Sequence, residues 1–171
     1  REARRRLARR ALLCELHQRG PSRTAGRLLF SAYAQLLENQ VINVGDEVEF
    51  VVPTGNFGDI LAGYYAKMLG LPVKHLVVAS DKNNVLFDFL TTGTYNRQRP
   101  FFQTISPSMD ILISSNLERM LYYMSEGDTR LISMLMNDLS QWARTRFRSR
   151  CSRRSVSCSA AAGPTRTRCV R

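Results

Sequence analysis

The sequence predicts an α/β fold: a partial open parallel sheet with flanking helices and irregular, Arg-rich ends. Two apolar, β-branched runs, VEFVV at 48–52 and HLVVA at 75–79, have the length and composition of buried strands. A glycine-containing turn and a stretch with helical spacing separate them, and a second helical stretch follows. Strand, loop, helix, strand, helix is the order that a parallel sheet with crossover helices requires.

Taken in order, residues 20–22 (Gly-Pro-Ser) form a breaker cluster. The stretch RLLFSAYAQLLE at 27–38 sets Leu28, Leu29, Ala32, Leu36 and Leu37 on one side of a helix, with Asn39 as its stop. A polar turn around Asn43 to Asp46 leads to the first strand. Residues 59–69 show helical spacing of Ile60, Tyr64 and Met68, with small Ala62 and Gly63, and Gly70-Leu71-Pro72 ends that helix. After the second strand, residues 81–90 can form a helix capped by Ser80 or Asp81. Residues 93–100 read as a polar loop, and 105–110 lead into a short apolar stretch at 111–113. Ser114 or Ser115 can cap a helix at 116–124, in which Tyr122, Tyr123 and Met124 read as packing residues. Asp128 can cap a last helix at 130–140.

A chain of 171 residues suffices for one domain with a sizeable core. Its net charge of +11 suggests a polyanionic partner until the charge is located. Residues 1–27 hold nine arginines and two acids, and residues 142–171 hold nine arginines and no acid. Residues 28–141 carry seven cations against twelve acids. The basic excess therefore sits wholly in the ends. The four cysteines (Cys14, Cys151, Cys158, Cys169) lie there too, without a Cys-x-x-Cys pair, so no metal site is expected. The ends also hold few aromatics for stacking on bases, only Trp142 and Phe147. Nucleic acid is expected to bind them only nonspecifically, through charge. No membrane span or secretory signal is recognisable, and a cysteine-free centre fits the cytoplasm. Three parts follow: an Arg-rich flank at 1–27, an α/β segment at 28–141, and an Arg/Ser/Cys-rich tail at 142–171 expected to be disordered.

In an α/β sheet, ligands bind where strands end and loops enter helices. The loop PTGNFGD at 53–59 sits at such a point. Gly55 and Gly58 are expected to take positive φ and let the backbone approach a ligand, and Asn56 tolerates the same region. Successive N–H groups there can converge on an anion. The same spacing also serves a plain strand-to-helix turn. It is neither a Walker loop nor a dinucleotide fingerprint.

The longer string VVPTGNFGDILAGYYAK at 51–67 resembles the phosphate loop and following helix of threonine synthases. The resemblance continues through GLPVK at 70–74, NVL at 84–86, TISPSMDI at 104–111 and SSNLER at 114–119. It implies an incomplete tryptophan-synthase-β-like fold of a pyridoxal-phosphate enzyme. That family converts O-phosphohomoserine and water to threonine and phosphate. Gly55, Asn56, Phe57, Gly58 and Asp59 map onto its loop around the cofactor phosphate. The Asp59 carboxylate, unfavourable beside a phosphate, is expected to point away and favour the helix start. Ser108, Asp110 and Asn116, with Ser106 and Ser115, are family-like candidates for substrate contact, although turns and caps use the same residue types. Arg97 and Arg99 are candidates for a substrate phosphate or simple loop residues, and His75 reads as structural.

The departures from the family count equally. Its Schiff-base lysine lies in a Lys-Asp-Phe segment that this sequence lacks; Lys67 and Lys74 match ordinary surface positions of the family, and Lys82 follows a strand. No catalytic residue is assigned, and the chain is expected to be inactive alone. The resemblance stops where the Arg-rich ends begin, so those ends are expected to be foreign to the family.

Overall fold

The computed structural model describes residues 22–147 and 166–170. The expected irregularity of residues 1–21 and 148–165, with Cys14, Cys151 and Cys158, lies outside the described residues. No described helix is long and apolar enough to cross a membrane.

The described chain forms two compact units, the first made of residues up to Phe50 together with Gly58–Leu76. It contains helix α1 (Ser22–Glu38) and helix α2 (Gly58–Met68), with the first halves of strands β1 (Val48–Pro53) and β2 (Val73–Ser80). The inward stripe of α1 is Phe30 and Tyr33, 3% and 1% exposed, whereas Leu28 is 65% exposed. The expected leucine face is thus rotated. Two large rings three residues apart bury more apolar area than the flanking leucines, and they decide which side turns inward. The Tyr33 hydroxyl donates to Asp46 O (3.2 Å) and accepts from Gly45 N–H (3.1 Å), so the turn at 43–46 is tied to this helix. In α2 the buried residues are Ile60, Leu61, Ala62, Gly63 and Ala66, and Met68 faces out. A Cβ on Gly63 would lie 2.6 Å from a Leu76 methyl, so glycine is what lets α2 lie this close to β2. His75 pairs with Glu49 through Nδ1.

The second unit comprises Val51–Phe57 and the chain from Val77 onward. Helix α3 (Val85–Thr92) ends at Gly93, whose φ of 71° suits glycine and whose N–H donates to Phe89 O. Strand β3 (Thr94–Asn96) follows at once and pairs antiparallel with β4 (Arg144–Arg146), Tyr95 opposite Thr145. Sequence reading expected a loop at 93–100 and disorder from 142. The pairing is non-local and only three residues long, which leaves no periodic signal. A one-turn 3-10 helix (Pro107–Met109) and helices α4 (Leu117–Met124) and α5 (Thr129–Trp142) complete the unit. Leu117, Met120, Leu121, Ile132 and Leu135 are buried, while Tyr122 and Tyr123, expected to pack, stay about two-fifths exposed (41% and 39%) and stack edge-on against each other.

Strands β1 and β2 run parallel: Val48 N–H donates to Pro72 O, and Thr54 N–H donates to Ala79 O. The sheet order is β1, β2, then β5 (Arg166–Val170). Asp128 caps α5 as its sequence position implies, accepting from Leu131 N–H at 3.0 Å. Replacing Asp128 with Ala should therefore cost about 1 kcal/mol, read as a lowered denaturant midpoint with unchanged slope.

Candidate functional site

β1 ends at Pro53, and the chain turns through Thr54, Gly55, Asn56 and Phe57 into α2. Thr54 is anchored twice: its N–H donates to Ala79 O (2.9 Å) and its hydroxyl to Val52 O (2.7 Å). The left-handed residue of the turn is Phe57 (φ 64°), while Gly55 and Gly58 keep ordinary φ. The expectation that the two glycines supply positive φ is therefore corrected. A non-glycine residue there costs about 1–2 kcal/mol, offset by burial of its ring, which is 1% exposed. Gly55 is needed for a different reason. A Cβ there would stand 2.9 Å from both Cα and O of Met109, a backbone that cannot swing aside as a side chain can.

A second segment grips the loop from below. The Ser114 hydroxyl donates to Gly55 O at 2.6 Å. Asn56 Oδ1 accepts from Ser115 N–H (2.8 Å) and from its hydroxyl (2.9 Å). Asn116 Nδ2 donates to Asn56 O at 3.1 Å. The serines read as caps for α4 serve the loop instead, and Asn116 makes no side-chain cap. Ser114 is itself held by Tyr95, whose hydroxyl accepts from Ser114 N–H and donates to Leu112 O. Burial raises the Tyr95 phenol pKa, partly countered by Ser114 and then Arg99, so it stays a neutral donor. Gly58 opens α2, and Asp59 stands exposed in its first turn, where a carboxylate suits the helix dipole.

Met109 is placed by a polar cluster that sequence reading missed. Asn83, 6% exposed, donates from Nδ2 to Phe102 O (2.7 Å) and Asp110 Oδ1 (2.9 Å), and its Oδ1 accepts from Phe102 N–H (3.0 Å). Asp110 also accepts from Thr104 N–H (2.8 Å, Oδ2) and the Thr104 hydroxyl (2.8 Å, Oδ1). The Thr104 N–H, then the other hydrogen bonds to the carboxylate, hold the Asp110 pKa below the ordinary carboxylate range against a smaller desolvation effect. A lowered folded pKa means that the contribution is complete above the unfolded value of about 3.9 and is lost as pH falls through the folded value. Melting temperature of the wild type should therefore fall in that acid window. Asp110→Asn should start lower and lack that component of the slope.

Ser108 is exposed on the 3-10 turn, and the Asp110 carboxylate is occupied by protein donors. Arg99 bridges Asp88 and Asn84 (both 3.0 Å), and Arg97 Nη2 donates to Ser140 O near the end of α5. Both arginines thus have structural partners. Lys67 Nζ donates to Lys74 O, Lys74 is exposed, and Lys82 lines an open groove with Arg99, Phe102 and Thr104. The one signal for Asn83 in the sequence is an Asn-Asn pair just past a strand end, which by itself reads as a turn.

A strand, an ordered loop and a helix, followed by a parallel strand, make this a strand-loop-helix segment of an α/β fold. No family model matches the chain. It is 50% identical over 110 residues to human threonine synthase-like 1 (Homo sapiens), covering 64% of this chain and 15% of that protein. It is 47% identical over 104 residues to threonine synthase of Saccharomyces cerevisiae, covering 58% and 20%. The crystal structure of PLP-bound threonine synthase from Brucella melitensis superimposes with a TM-score of 0.65 at 40% identity, covering 72% of this chain and 25% of that one. Over 53% to 64% of its length the chain is similar to threonine synthases and threonine synthase-like proteins, and it spans only 14% to 21% of the length of the curated relatives it matches.

Proposed function

We propose that this chain is a part of a threonine synthase and that Gly55, Asn56, Phe57, Gly58 and Asp59 form its loop for the phosphate of pyridoxal phosphate. One observation carries the reading. The carbonyls of Gly55 and Asn56 both point into the 114–116 segment. In a trans peptide the next N–H points the opposite way, and no peptide here is cis. The N–H groups of Asn56 and Phe57 therefore face away from the support, where an anion can be met by main chain alone. The donor set fits a phosphate: no carboxylate joins it, since Asp59 is turned out to solvent.

When bound, pyridoxal phosphate supplies an electron sink for the conversion of O-phosphohomoserine and water to threonine and phosphate. The part played by this chain is to fix the phosphate end. Ser114, Ser115 and Asn116 hold the loop, Met109 closes its rear, and α2 leaves it at Gly58. Of the candidates Ser108, Asp110 and Asn116, Ser108 is proposed on the substrate side, while Asp110 and Asn116 act through loop order. The Lys-Asp-Phe segment that the resemblance calls for is absent from this sequence, so turnover needs a lysine from elsewhere. We read residues 1–27 and 142–171 as foreign to the family apart from the β4 pairing. Another reading frame of the flanking DNA should then encode threonine-synthase-like residues, and flanks without them would overturn that reading.

Equilibrium dialysis tests the loop assignment. Pyridoxal phosphate should be retained and displaced by inorganic phosphate, whereas pyridoxal should not be retained. Equal retention of both would show that the phosphate is not what the chain recognises.

A further inference from the structure

Outside the loop, the Asn83 side chain in the second unit is buried and makes three hydrogen bonds. Its amide donates to Phe102 O and accepts from Phe102 N–H, as a neighbouring strand would, and makes a third hydrogen bond to Asp110. Asp110 and Thr104 then close the stretch between them: Thr104 gives two hydrogen bonds to the carboxylate and accepts one from Ser106 N–H. The 3-10 turn is fixed inside this ring, with Met109 N–H donating to Ser106 O at 2.8 Å. Its Met109 backbone is what stands against Gly55. A buried side chain far along the sequence thus sets the wall behind the anion loop without facing the anion.

We infer that Asn83 is a positioning residue for phosphate binding, acting through the 102–110 strut on Gly55. The inference rests on the phosphate-loop reading above. Asn83→Ala leaves the Phe102 N–H and C=O and one carboxylate oxygen short of a partner. The strut loosens, Met109 backs away, and the peptides at 55–57 lose their fixed aim.

The test is titration of the full chain with pyridoxal phosphate and with inorganic phosphate, following the backbone amide shifts of Asn56 and Phe57. Asn83→Ala should weaken both ligands by about tenfold. Asp128→Ala, which removes a helix cap elsewhere in the unit, should leave affinity within about twofold while lowering stability. Wild-type affinity in Asn83→Ala overturns the inference, and so does equal weakening by both substitutions, which would mark a general stability effect. No response of the Asn56 and Phe57 amides in the wild-type chain overturns the phosphate-loop reading itself.

Discussion

Gly55→Val is expected to abolish retention of pyridoxal phosphate and to destabilise the chain by about 1–3 kcal/mol. The Cβ alone would sit 2.9 Å from two Met109 backbone atoms, and the valine methyls extend further. The main chain at Met109 is fixed through Asp110, Thr104 and Asn83, so the loop must yield rather than the wall. Displacing Gly55 breaks the Ser114 bond to its carbonyl and turns the Asn56 N–H away from its position. Denaturant unfolding and dialysis of the same sample separate the two effects. A variant with a lowered midpoint and intact retention would show that the wall behind Gly55 is only packing.

The chain given pyridoxal phosphate and O-phosphohomoserine should release no phosphate above the protein-free background. Lysine-based covalent catalysis is not replaced by binding alone. Lys67 is half-buried on α2 with its ammonium against Lys74 O, and Lys74 itself is exposed. A colorimetric phosphate assay decides the matter. Turnover that vanished in Lys67→Ala or Lys82→Ala would show that a lysine of this chain does the work assigned to one from elsewhere.

Local chemistry made part of this architecture readable from the sequence. VEFVV and HLVVA are strands because β-branched runs of that length have few other folded uses, and Asp128 caps its helix because a carboxylate reaches an N–H three residues on. The loop at 53–59 was legible as a strand-to-helix turn, and the family resemblance gave it a ligand. Non-local choices hid the rest. Whether Leu28 or Phe30 faces inward depends on what lies opposite, which helical spacing does not encode. The β3–β4 pairing joins residues 94–96 to 144–146 through three residues each. Ser114 and Ser115 look like caps, yet their partners are 59 residues away. Gly55 reads in the sequence as a glycine needed for its φ, whereas φ is positive at Phe57 and the constraint at Gly55 is the Met109 backbone.

The most direct test of the phosphate-loop assignment is a crystal structure of this chain grown with pyridoxal phosphate. The cofactor phosphate should lie within hydrogen-bond distance of the Asn56 and Phe57 N–H groups, on the side opposite Ser114 and Asn116, with no lysine bonded to the ring. A phosphate held by the arginines of residues 142–171, with the loop empty, would contradict it.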